Sequence, residues 1–336
     1  MKNNKIIFFA SGDFAVPTLK HLLENNYSII GIVSSKDKVI FNDKRIVDLA
    51  EEYNIPYVIP NDLEDESFVN WLRQKDPDIF CVISYKKLPD VILSIPNTCA
   101  FNVHASLLPF LRGAAPINWA IRNGYKETGL TAFLLNDKID CGNILSNEKV
   151  SIKETDDYKS LFQELSIKCC SFTRKVIDNI ILHEKFYLNK SISQSVLPNT
   201  IGNILKAPKI NQDYFKDWDY LNADEFIRLI RSVKPIDGIP MKMVILQETC
   251  DENFMTNEII KKLRCKIYNA EKVNTNHDKT IMTDGKEYIH LRLNNGECVS
   301  IKEIQLEGKK RLDVKEFLRG FKYKNKPYSY YFDKIS

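Results

Sequence analysis

Through its first half the chain alternates short runs of β-branched and aromatic residues with stretches of helical spacing. The runs KIIFFA (5–10), SIIGIV (28–33), DIFCVI (78–83) and CAFNV (99–103) read as strands. Phe14 to Asn25 and Lys44 to Tyr53, between them, repeat apolar residues at the period of a helix. Strand and helix in alternation predict an α/β fold with a mostly parallel sheet and helices on both faces. GLTAFLL (129–135) and NILSNEKVSI (143–152) add two strands. Thr155 to His183 reads as one long amphipathic helix, with Thr155 and Asp156 placed to cap its start.

The pattern then lapses. From about Phe186 to Ile210 the chain is polar and carries Pro198, Gly202 and Pro208, the composition of a connector. A helix over Ala223 to Val233 follows, then the short runs KMVILQE, RCKIYNA, TIMTDG, YIHLRL and CVSIKEIQLEG, punctuated by Asp-Gly and Asn-Gly. Short strands joined by such turns predict a small β-barrel. With 336 residues, two cores are the expectation. We divide the chain into a domain over 1–186, a linker over 187–210 and a second domain over 211–336.

Composition narrows this little. A formal charge of +4 says nothing alone about partners. The eight cysteines have no C-x-x-C spacing, which argues against a disulfide framework or a zinc site, and no metal is expected. The apolar run in MKNNKIIFFASGDF is too short for a secretory leader, and no run approaches the ~18 apolar residues of a membrane span. A reduced, cytoplasmic protein is the simplest reading.

The segment FNVHASLLPFLRGAAPINWAI (101–121) carries the candidate chemistry. Residues i and i+2 of a strand share a face, so Asn102 and His104 project together where the strand ends, the edge at which open parallel sheets bind ligands. Asn supplies a neutral N–H donor and His a group that titrates near neutrality. The pair suits a reaction that builds negative charge on a carbonyl oxygen and moves a proton. Asp140, followed by a permissive Gly142, is a candidate anion to orient the imidazole, although nothing in the sequence places it beside His104. Each feature has a plain alternative: a hydrogen-bonded histidine at a strand end, a turn aspartate, an arginine (Arg112) that merely caps or pairs. The other four histidines have no comparable setting.

These segments resemble the folate-dependent formyltransferases. The residues that carry the resemblance are Asn-x-His, S-L-L-P, R-G-A-A-P-I and D-x-G in order, with IIFFASGDFAVPTL before them and APKI…DW and IQLEGKKRLDVKEFLRGF after. It extends over nearly the whole chain. The resemblance implies a Rossmann-like formyltransferase domain followed by a smaller OB-like barrel domain. It further implies 10-formyltetrahydrofolate as donor, the α-amine of methionyl-initiator tRNA as acceptor, and Asn102, His104 and Asp140 as the catalytic trio. Folate contacts are then expected at Ser84, Tyr85, Lys86, Lys87, Leu88 and Pro89, at Ser106, Leu107, Leu108 and Pro109, and at Asn136, Asp137 and Gly142. Arg112 would shape the catalytic loop. A monomer with no membrane association is expected.

Two departures stand out. Asp140-Cys141-Gly142 replaces the frequent D-T-G of the family, and SSKDKVIFNDKR replaces a longer basic loop that contacts the acceptor end. Lys36, Lys38, Lys44 and Arg45 are the cations left to that segment. Near the end, nine Lys or Arg stand against four Asp or Glu between Ile301 and Lys326, among them Lys309, Lys310 and Arg311. With a tRNA substrate expected, phosphate contact is the reading we adopt for all seven named cations over that of a solvated face. Two other readings stay open from sequence: a formyltransferase acting on an amino-sugar nucleotide, and a non-catalytic RNA-binding protein. Release of tetrahydrofolate with one acceptor, the other or neither separates them.

Overall fold

The structure, a computed structural model, describes residues 4–35, 44–195, 206–251, 254–275, 277–321 and 328–334. The chain forms two compact units. The first comprises Met1–Ile117, Lys126–Lys153 and Ser160–Lys209; the second comprises Asn118–Tyr125, Glu154–Lys159 and Ile210–Ser336.

The first unit is built on β1 (Ile6–Ala10), α1 (Val16–Glu24), β2 (Ile29–Val33), α2 (Lys44–Glu52), β3 (Tyr57–Val58), α3 (Glu66–Gln74), β4 (Ile79–Ile83), the single turn α4 (Asp90–Leu93) and β5 (Cys99–His104). Past α5 (Pro116–Arg122), whose residues from Asn118 on fall in the second unit, come β6 (Glu127–Leu134), β7 (Ile144–Ser151) and α6 (Tyr158–Asn189). The strands form one sheet in the order β3-β2-β1-β4-β5-β6-β7. It is parallel from β3 to β5, while β6 and β7 run antiparallel. The expected mostly parallel sheet is thus observed, with an antiparallel hairpin added beside β5. Central β1 and β4 are buried at every position, as their unbroken apolar runs require, whereas edge strand β7 alternates.

A local signal sets the start of α3. Asp65 caps α3 by accepting from Ser67 N at 2.8 Å and Phe68 N at 3.3 Å. Helix α6 buries Leu161, Leu165, Cys169, Phe172, Val176 and Ile180, one stripe at steps of three and four. It begins at Tyr158 rather than at Thr155, and it breaks at His183, where φ is −135° and ψ 33°, before a last segment to Asn189. Its apolar stripe ends at Ile180, three residues before the break.

The second unit has two 3₁₀ turns (Gln212–Phe215 and Trp218–Tyr220), α7 (Ala223–Arg231), β8 (Ile239–Asp251), β9 (Phe254–Val273), β10 (Ile281–Thr283), β11 (Ile289–Arg292), β12 (Cys298–Leu306), β13 (Arg311–Asp313), α8 (Val314–Gly320) and β14 (Tyr328–Lys334). Asn222 and Glu225 form a capping box at the start of α7. The sheet is wholly antiparallel, in the order β10-β11-β12-β9-β8-β14 with β13 on β12. Its long strands shift register at 301–304 and at 245–246. This curled antiparallel sheet is a half-barrel in an open strand order, consistent with the OB-like domain expected from the sequence. Its core includes Phe226, Leu229, Met241, Met243, Ile267, Leu291, Ile301 and Phe317.

Cys81, Cys169 and Cys265 are buried as free thiols, and burial pushes Cys169 up to about 11 and Cys265 up to about 12. They pack as small hydrophobes. Among the described residues, no helix is long and apolar enough to cross a membrane, and no group of three or more His, Cys, Asp or Glu could hold a metal ion.

Candidate active site

Strand β5 separates the parallel and antiparallel halves of the first sheet. Asn102 lies between Val82 of β4 and Phe133 of β6, and His104 lies opposite Thr131. The flanking Phe101 and Val103 are buried core, which commits Asn102 and His104 to one face. Asn102 is half-buried, and among the described residues nothing hydrogen-bonds its amide. His104 is 8% exposed.

The turn after β5 sets the imidazole. Thr131 Oγ1 donates to Ser106 O at 2.6 Å and accepts from Leu108 N at 3.1 Å, and Ser106 Oγ donates to Phe110 O at 2.7 Å. The turn so held presents Leu111 O to His104 Nε2 at 2.9 Å. A carbonyl can only accept, so Nε2 carries the proton and Nδ1 is left with the free lone pair.

Asp140 Oδ2 stands 3.9 Å from that Nδ1. The separation is too long for a hydrogen bond and short enough for a charge to act across. The same Oδ2 accepts from Gly113 N at 2.8 Å, so a backbone N–H rather than the imidazole fixes the carboxylate. The sequence offered Asp140 as a candidate to orient the imidazole; the hydrogen bond that holds the ring is made to Leu111 O, with Asp140 facing Nδ1 across the longer gap. Gly113 has φ +125°, and a Cβ there would meet Ala207 O at 2.5 Å, so a glycine is needed to present this N–H.

Gly142 is tighter still, because a Cβ would lie 1.6 Å from Leu134 O. We expect Gly142→Ala to lower the urea midpoint, at a cost near the upper end of the ~1–3 kcal/mol of overpacking. Turnover should fall with it, since the loop that holds Asp140 must move. An unchanged midpoint would mean that this loop has room the geometry denies.

Sequence reasoning missed the two backbone groups, Leu111 O and Gly113 N–H, together with Gln194. Gln194 is 4% exposed; its amide donates to Asp140 O and Gly142 O and accepts from Arg112. It lies in the polar stretch read as linker, where no periodicity marks it.

The remaining candidates are distributed unevenly. Ser84, Lys86 and Lys87 are exposed just beyond β4. Tyr85 donates to Ser34 O at 3.2 Å and meets the Phe9 ring at 5.6 Å, while Leu88 is core. Leu107 is half-buried, Pro109 and Leu108 are buried, and the Ser106 hydroxyl is spent on its own turn. Asn136 and Asp137 are exposed, with Asn136 Oδ1 accepting from Lys138 N at 3.0 Å. Of the cations, Lys36 and Lys38 lie outside the described residues. Lys44 is exposed, and Arg45 pairs with Asp13 at 3.4 Å. Lys309 and Lys310 are exposed without an ion pair among the described residues, whereas Arg311 pairs with Glu303 and lies over the Tyr268 ring.

The fold is that of a formyltransferase. Residues 4–168 match the family profile described as Formyl transferase, and residues 210–322 the one described as Formyl transferase, C-terminal domain. Methionyl-tRNA formyltransferase of Bacteroides thetaiotaomicron is 33% identical over 327 residues, covering 95% of this chain and 96% of that protein. The methionyl-tRNA formyltransferase of Azobacteroides pseudotrichonymphae is 35% identical over 331 residues, again 95% of this chain and 96% of that one. The chain belongs to the methionyl-tRNA formyltransferase family. In fold it is similar to WlaRD, a sugar 3N-formyl transferase, with a TM-score of 0.58 at 18% identity over 92% of this chain and 100% of that one. HypX from Aquifex aeolicus gives a TM-score of 0.55 at 15% identity over 94% of this chain and 47% of its own length.

Proposed function

We propose that this chain transfers the formyl group of 10-formyltetrahydrofolate to the α-amine of methionyl-initiator tRNA. The observation that carries the reading is the pairing of an uncommitted Asn102 amide with a His104 whose Nδ1 faces Asp140. An α-amine of pKa about 8 is partly neutral at cytoplasmic pH and attacks the formyl carbon without a covalent enzyme intermediate. Asn102 donates to the oxygen that becomes anionic as the carbon turns tetrahedral. His104 takes the proton of the attacking amine at Nδ1 and returns one to N10 as the carbon–nitrogen bond to folate breaks. Asp140 stabilises the transient imidazolium by its charge.

Within this reading Ser84 to Pro89, Leu107 and the Asn136–Gly142 loop hold the folate, largely through backbone. Buried Leu88, Ser106, Leu108 and Pro109 shape that site rather than touch the ligand with their side chains. The protein works as a cytoplasmic monomer, which light scattering of the purified chain would test. The deciding assay is release of tetrahydrofolate with charged initiator tRNA. Turnover with an amino-sugar nucleotide instead, or with neither acceptor, would reject the proposal.

The second unit serves the RNA backbone. Lys309 and Lys310 are its unpaired candidates, whereas Arg311 is already compensated by Glu303. Replacing both lysines with alanine is expected to weaken tRNA binding and make the slope of log K against log salt shallower by roughly 2, about one for each phosphate no longer neutralised. An unchanged slope would assign them to a solvated face.

A further inference from the structure

A single buried amide ties the two halves of the site together. Gln194 Oε1 accepts from Arg112 Nε at 2.9 Å and from Arg112 Nη2 at 2.5 Å. Its Nε2 donates to Asp140 O at 3.0 Å and to Gly142 O at 2.8 Å. Both donors and both acceptor positions of the amide are therefore used, at a residue 4% exposed. Two residues earlier Ile192 exchanges backbone hydrogen bonds with Ile144, both 2.8 Å, which anchors this part of the chain to the end of the Asp140 loop.

The placement of those four bonds matters more than their number. Arg112 is flanked by Leu111, whose carbonyl holds His104 Nε2, and by Gly113, whose N–H holds Asp140 Oδ2. On the other side the amide grips the backbone of Asp140 itself. Gln194 thus joins the loop that sets the imidazole to the loop that sets the carboxylate, across the 3.9 Å gap between Nδ1 and Oδ2.

We infer that Gln194 is a positioning residue that fixes the His104–Asp140 geometry for formyl transfer, an inference that rests on the function proposed above. No other side chain of its length meets the same demands. A glutamate would still satisfy Arg112, yet it would aim a carboxylate at two carbonyl oxygens. A methionine would fill the space and leave the guanidinium and both carbonyls without Gln194. The neutral amide also sets no second negative charge beside Asp140.

Gln194→Met and Gln194→Glu test this in the full chain. Each is expected to lower kcat by ~10- to 100-fold, the scale of a misplacement of about 1 Å, with both KM values within ~3-fold of wild type. Nitrogen-15 spectra of histidine-labelled protein supply a readout that needs no substrate. In wild type His104 should show the proton on Nε2, and in both variants its ring signals should move. If wild type does not formylate Met-tRNA, the proposed function fails and the spectra alone decide here: moved signals support the positioning role and unmoved signals overturn it. With an active wild type, kcat within ~2-fold in either variant overturns it. So does a joint loss of kcat, both KM values and thermal stability with the His104 signals unmoved, the mark of a merely structural residue.

Discussion

Replacing Asn102 with alanine is expected to lower kcat by ~10²- to 10³-fold, the usual cost of removing one donor aimed at a developing oxyanion. The KM for folate and for Met-tRNA should each stay within ~3-fold, because the interaction forms only as the carbonyl carbon becomes tetrahedral. The fold should survive. The amide makes no hydrogen bond among the described residues, and the strand is held by its ladder to β4 and β6 and by buried Phe101 and Val103. Steady-state kinetics with a melting curve on the same preparation separates the outcomes. A folded variant that turns over within ~3-fold of wild type would remove Asn102 from the chemistry.

The parts of this molecule legible in the sequence are those that burial writes into residue type. Unbroken apolar runs located β1 and β4, and the three-and-four spacing of Leu161 to Ile180 located α6. The period-two rule put Asn102 and His104 on one face. Hydrogen bonds made by backbone atoms leave no such trace. Leu111 and Gly113 act through a carbonyl and an N–H that any residue or most residues possess, so only the folded turn reveals them. Gln194 escaped for a related reason. A lone buried polar residue in a polar segment has no periodicity, and the stretch around it reads as linker although its amide is sealed inside the first unit. In the second unit the run RCKIYNA marked only part of the second half of β9, which runs to 20 residues and pairs with β8 from its first residue. Segments Asn118–Tyr125 and Glu154–Lys159 belong to that unit as well, a long-range choice that local pattern does not encode.

Asp140→Asn separates charge from geometry at the site. One oxygen, Oδ2, both accepts from Gly113 N and faces His104 Nδ1. In the asparagine variant the Gly113 N–H still selects the side-chain oxygen, which keeps the amide nitrogen turned away from the ring. The Leu111 carbonyl still holds the proton on Nε2, so the imidazole keeps its tautomer. What is lost is the negative charge that favours a proton on Nδ1 while the amine is being deprotonated. We therefore expect kcat to fall by ~10²- to 10⁴-fold, the range of positioned acid–base assistance, with folding and both KM values little changed. Asp140→Ala should be no more than ~10-fold worse, since it adds only the loss of the Gly113 hydrogen bond. Single-turnover rates at saturating folate and Met-tRNA make the comparison directly. Asparagine close to wild type with alanine inactive would mean that Asp140 is a brace for the Gly113 turn, and that its charge takes no part in proton transfer.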